Sequence, residues 1–204
     1  MYTKAQIFNL ALGAMLLSRR IINTDTETSN ENAVLNTHYD VAFQATLEDL
    51  DLDSTSTQAT LALLEEDPTD HWLYAYAYPS DCVFLRRIQS SAKTDCRSTH
   101  IEKRTAIHNG AKVIFTDQED AVVEYISKNI PLSSLSATVG LAIAYRLAML
   151  SAPLVTGKGA AKLVADIQAK YLIAKMEAQE QDRRENFNFE DDDVSSEFVA
   201  ARTE

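Results

Sequence analysis

Few residues in this chain could carry chemistry, and they are scattered. The four histidines, His38, His71, His100 and His108, share no ligand spacing, and neither Cys82 nor Cys96 sits in a Cys-x-x-Cys pair. Metal binding needs such clustering, so no metal site is expected. His100 and His108 would face each other across a hairpin at Asn109 only if the register allowed it. Cys82 follows Asp81, and an adjacent acid opposes the thiolate that a nucleophilic cysteine requires. Thr156-Gly-Lys-Gly159 has part of a phosphate-loop vocabulary but not its full spacing, and the element before it reads as a helix. The acids Glu190 to Asp193 lack the glycine and the alternation of a calcium loop. No catalytic residue, metal site or cofactor site is assigned, and the chain is read as a non-enzyme.

Composition narrows the classes further. The chain has 204 residues, enough for one substantial core, and only five glycines, which disfavours a Gly-rich nucleotide loop. Its formal net charge of −11 argues against an open basic surface for nucleic acid. Met1 to Leu17 has no basic n-region or small-residue cleavage site, and no run approaches the roughly 18 apolar residues of a membrane span. A cytosolic product with both thiols reduced at synthesis is expected.

The elements follow from periodicity. Thr3 and Gln6 fit a capping box, and Ile7, Leu10, Ala11, Ala14 and Leu17 follow at helical steps, predicting a helix over 3–20 that ends on Arg19 and Arg20. A second helix over 30–48 places Val34, Leu35, His38, Val41, Ala42, Ala45 and Leu47 on one stripe. Asp49–Gln58 reads as a polar connector, Thr60–Leu64 as either strand or helix end, and Glu65–His71 as a turn at Pro68. Short strands are expected from the aromatic run at Trp72 through a β region at about 82–126, with Asn109-Gly110 as a tight hairpin turn. Leu135–Ser151, apolar almost all round, predicts a central buried helix over 133–152 stopped by Pro153. A last helix over 159–183 carries Leu163, Ile167, Tyr171, Ala174 and Ala178 on one stripe.

The fold class read from these elements is mainly α: a bundle of about four helices with a small antiparallel β region inserted. It forms a single domain over 1–184, followed by an extended acidic C-terminal arm over 185–204. From Glu177 to Glu204 ten acids face three bases, with Phe187, Phe189, Phe198 and Val199 as spaced apolar residues. Such a segment is either simply solvated or folds onto a partner.

One stretch is distinctive: Trp72-x-Tyr74-Ala-Tyr76-x-x-Pro79-x-Asp81-Cys82, followed by the strand Val83–Ile88. With Lys112-Val-Ile-Phe-Thr-Asp117, Val123-Glu-Tyr-Ile126, Arg146-Leu-Ala148 and Ala152-Pro153-Leu154 in the same order, it resembles the tail tubular protein A family, the head-to-tail adaptors of short-tailed bacteriophages. The resemblance implies a helical bundle with a small β portion and a structural virion protein at the head–tail junction, present in the host cytoplasm during assembly. It also implies a homo-oligomeric ring, typically a dodecamer, between the portal protein and the tail nozzle (a tail tubular protein B-like protein). Genome DNA would pass through the lumen without specific binding, and no membrane is involved. Under this reading Phe187, Phe189, Phe198 and Val199 are the portal-docking arm, and the Asn109–Gly110 hairpin projects toward a neighbour or the tail. The alternative is a small helical protein-binding scaffold or regulator with no virion role.

Overall fold

The structure is a computed structural model that describes residues 2–69, 71–90, 101–157 and 159–186. Among the described residues four α-helices, α1 (Lys4–Ala14), α2 (Asn30–Leu50), α3 (Ala137–Thr156) and α4 (Ala160–Glu185), flank seven strands. The strands are β1 (Ser56–Thr60), β2 (Leu63–Thr69), β3 (Trp72–Ala77), β4 (Cys82–Gln89), β5 (Arg104–His108), β6 (Ala111–Thr116) and β7 (Val122–Ser127). They form two antiparallel sheets, one ordered β1-β7-β4 and the other β2-β3-β6-β5. The fold is therefore α+β, not the mainly α bundle that the helical periodicity suggested, and the β region spans residues 56–127 instead of about 82–126.

The strands missing from the sequence reading are β1 and β2, and both lie at sheet edges. An edge strand with little to bury shows no apolar alternation, and the sequences Ser-Thr-Gln-Ala-Thr and Leu-Leu-Glu-Glu-Asp-Pro-Thr show none. Pro68 stays inside β2 because an edge strand tolerates the lost donor; Asp67 at φ 48 and two register shifts mark the irregularity there.

α3 lies at the centre of the helical layer, packed against α1, α2 and α4, with Val139, Ala142, Ile143, Ala144, Leu147 and Ala148 all buried. Its small residues permit close approach: a Cβ on Gly140 would lie 2.3 Å from the Tyr2 ring. By length and hydropathy α3 could cross a membrane (20 residues, mean hydropathy 1.5), contrary to the expectation from the sequence, but half of that window is buried inside the protein, where the core accounts for its apolarity. Pro153 does not stop this helix, which continues one turn to Thr156. Within the last turn a proline removes one backbone donor without disrupting a long following segment, and the Thr156 hydroxyl donates to the Ala152 carbonyl at 2.8 Å.

Two other helices depart from expectation. α1 keeps its capping box, with Gln6 N–H donating to the Thr3 hydroxyl, but ends at Ala14 rather than near Arg20. Asn9 explains the early stop: its side chain donates to the Ile21 carbonyl at 2.8 Å and accepts the Ile21 N–H at 2.7 Å, folding the following chain back on α1. In α2 the buried stripe is Asn32, Leu35, Tyr39, Ala42, Phe43, Thr46, Leu47 and Leu50, so the expected phase is shifted; Val41 is 61 % exposed. The larger Tyr39 and Phe43 claim the core, stacking with ring centroids 6.0 Å apart.

β7 is the wall shared by both halves. Ile126 joins the helical core, whereas Val123 and Tyr125 pack with Leu61, Tyr76, Ile88 and Ile114 between the two sheets. The alternation of a strand thus serves two cores. Replacing the fully buried Ile126 by Ala is expected to cost about 2–5 kcal/mol. Val41→Ala, on the exposed face of α2, is expected to change stability by no more than about 0.5 kcal/mol. Urea denaturation followed by circular dichroism checks both, and a large loss at Val41 would restore the phase read from the sequence.

Candidate functional site

The distinctive aromatic stretch builds β3 and the turn into β4. Trp72 packs on the sheet face that carries Ala75, Val113 and Phe115. Tyr74 and Tyr76 lie on the opposite face, facing the other sheet, and the Tyr76 hydroxyl donates to the Gln118 carbonyl at 2.9 Å. Pro79 begins the turn, its carbonyl accepting the Cys82 N–H. Asp81 closes it: its carboxylate accepts the Ser127 hydroxyl at 2.5 Å and the Tyr125 hydroxyl at 3.1 Å, and its carbonyl accepts the Lys128 N–H at 2.8 Å. Donation by Ser127 outweighs burial and, with Tyr125 and the Lys128 charge, holds the Asp81 carboxyl below the usual range.

Cys82, the next residue, carries a free thiol that donates to the Tyr78 hydroxyl at 3.2 Å. Burial raises its pKa, although Lys112 and Lys103 pull the other way, so the thiol is protonated at neutral pH and a poor nucleophile. Lys112 sits over the Tyr78 ring, 3.6 Å from its centroid. The second cysteine, Cys96, and His100 lie outside the described residues.

A larger polar cluster, which the sequence reading did not find, joins sheet to helices. Glu124, only 5 % exposed, points from β7 to the helical side. Its carboxylate accepts Arg87 Nε at 2.8 Å, Gln89 Nε2 at 3.0 Å and Arg86 Nη1 at 3.4 Å. Arg86 also donates to Asp53, to the Asp51 carboxylate at 2.7 Å and to the Asp51 carbonyl at 2.9 Å. On α4 the buried Asp182 accepts the N–H groups of Asp53 and Ser54 at 2.8 and 3.0 Å. β4, β7, the α2–β1 connection and α4 therefore meet in one network.

A second tie holds α2 to α3 and α4. Asp49 accepts the Tyr171 hydroxyl and Lys175 Nζ, the latter at 2.7 Å, and Arg146 lies 3.8 Å away with its guanidinium 5.3 Å from the Tyr171 ring centroid. Burial raises the Asp49 pKa, but the bonds from Lys175 and Tyr171 and the Arg146 charge outweigh it, and the net shift is downward. Arg146 thus has a packing role at the end of α2. Two signals could have revealed these ties: Asp182 continues the α4 stripe four residues after Ala178, and Glu124 interrupts an otherwise apolar strand.

Asn109 (φ 50) and Gly110 (φ 80) form the two-residue turn between β5 and β6, in the left-handed conformations such hairpins require. Both are exposed, as is Ile107 at 73 %, while His108 Nε2 lies 2.9 Å from a Glu65 oxygen. Phe187, Phe189, Phe198 and Val199 lie outside the described residues.

Among the described residues no group of three histidine, cysteine or carboxylate side chains could hold a metal ion. The polar clusters consist of mutually satisfied donors and acceptors, an arrangement suited to holding elements in place. No known family model and no curated protein matches this chain. What the geometry offers is a body cross-tied between sheets and helices, with an exposed hairpin.

Removing the Asp182 carboxylate leaves two backbone donors without their acceptor, so Asp182→Ala is expected to cost about 1–3 kcal/mol in chemical denaturation. The depressed carboxyls of Asp81 and Asp49 stabilise the fold above their unfolded values near about pH 4, and that contribution is lost as pH falls through the lower folded values. Asp81→Asn should flatten the acid side of a stability–pH profile. An unchanged profile would mean that the carboxylate charge contributes nothing there.

Proposed function

We propose that this chain is a non-enzymatic head-to-tail adaptor of a short-tailed bacteriophage, forming a ring between the portal and the tail nozzle. The observation that carries the reading is the ordered series from Trp72-x-Tyr74-Ala-Tyr76 through Pro79, Asp81 and Cys82 to Arg146 and Pro153, which resembles the tail tubular protein A family. Physical features agree with the role without depending on it. A ring subunit needs a body that keeps its shape while two different surfaces meet two neighbours. A body whose sheets and helices are cross-tied through Glu124, Arg86 and Asp182 meets that requirement. The exposed Asn109–Gly110 hairpin is available for contact outside the body. A net charge of −11 disfavours adhesion of DNA phosphates, as a conduit for a genome requires.

In this reading Phe187, Phe189, Phe198 and Val199 engage the portal, and copies of the chain close a ring, a dodecamer by the same resemblance. The experiment is to mix the purified protein with a portal ring and image the product by negative stain. An added collar with ring symmetry is expected, and removing residues 187–204 is expected to abolish its formation while leaving the melting temperature unchanged. Failure of the intact protein to join the portal would overturn the adaptor reading in favour of a protein-binding scaffold with another partner. Undiminished joining by the truncated protein would remove the arm from the mechanism.

A further inference from the structure

We propose that the four-stranded sheet continues from one copy of this chain to the next, the outer edge of β5 of one copy pairing with the outer edge of β2 of its neighbour. Among the described residues no strand lies outside β2 or β5, so both edges keep unpaired backbone donors and acceptors. Both also hold large apolar side chains in water: Leu63 and Leu64 on β2, and Ile107 on β5. The two edges differ in charge. β2 carries Glu65, Glu66 and Asp67 and no base, whereas β5 carries Arg104 and His108 and no acid. Paired with itself across a two-fold axis, β2 sets acid near acid and β5 sets base near base, which is unfavourable. β2 against β5 is the pairing that charge favours, and it uses two different surfaces.

Register makes the match specific. The ladders place Glu65, Ala75, Phe115 and Arg104 in one row across the sheet, and Leu63, Tyr76, Ile114 and Thr105 in the next. The first row thus begins with an acid at one edge and ends with a base at the other. The four strands alternate in direction, so β2 and β5 run opposite ways. A neighbour rotated about an axis along the strands keeps both the direction and the facing of every strand. Its β5 then lies antiparallel to β2, with its Arg104 beside Glu65 on one face and its Thr105 beside Leu63 on the other. Arg104 has no hydrogen-bond or ion-pair partner among the described residues. Glu65 meets His108 through Oε2, which leaves Oε1 for the neighbour. Pro68 and Asp67 at φ 48 distort the far end of β2, so the contact runs over Leu63–Glu66. Every copy offers one acidic and one basic edge, and the contact repeats with a single polarity. The inference deepens the ring of the adaptor reading and rests on it for closure of the series.

The test is sedimentation equilibrium of the full chain across about a hundredfold range of concentration. No portal is present, so failure here is separate from failure to join the portal. Mass is expected to rise with concentration and to pass two copies, because a head-to-tail contact leaves a free edge at each end. Glu65→Arg and Arg104→Glu are each expected to weaken association about tenfold, since each sets like charges side by side. Mixing the two variants is expected to restore it, because each then meets the opposite charge at both edges. Arg104 loses no contact within the described chain, so Arg104→Glu should leave the melting temperature unchanged. If Glu65→Arg, which also loses His108, lowers it, Glu65→Gln takes its place in the mixture. That mixture is expected to associate better than Arg104→Glu does with itself. A monomer at every concentration would overturn the proposal, as would a mass that stops at two copies. So would folded variants that associate as the unaltered chain does, or a mixture no better than either variant alone.

Discussion

A carboxylate in the middle of a strand buried on both faces must be satisfied by the protein itself, and Glu124 makes that demand on β7. An unpaired charge there would be costly, whereas a charge with three donors is held. Two arginines and a glutamine from β4 answer it, and Arg86 in turn recruits Asp51 and Asp53 from the segment leaving α2. That segment is held from its other side by Asp182 of α4. The network is a specification device: apolar contacts alone would tolerate sliding between sheet and bundle, but directional bonds to four segments do not.

The apolar layers are arranged around the same strand. Outward from β7 on one side lie Ile126 and the helices with α3 at their centre; on the other lie Val123, Tyr125 and the second sheet. The Asp81 turn fixes the entry to β4 by bonding back to Tyr125 and Ser127 of β7, so covalent neighbours and strand partners specify one register. The residues of the distinctive motif thus do structural work in this fold, closing the β3–β4 turn onto β7.

What remains for contact is at the surface. The Asn109–Gly110 hairpin offers an exposed turn, and α4 carries the exposed Leu172, Ile173 and Met176. These surfaces lie on different sheet and helix elements, so engagement of one does not require the other.

The sequence by itself determined the local elements whose signals are local. The capping box at Thr3 and the Asn109–Gly110 turn are each written within about one turn of chain, and the apolar character of α3 and the stripe of Ile167, Tyr171, Ala174 and Ala178 each within a single helix. Tertiary structure alone decided the rest. Edge strands β1 and β2 bury too little to show a period, and their pairing exists only because β7 and β3 lie alongside. The end of α1 depends on Asn9 reaching Ile21, and the phase of α2 on which aromatic rings the neighbouring helices admit. The polar network joins residues as far apart as Asp53 and Asp182, whose pairing no periodicity encodes, because it forms only when packing removes water from both.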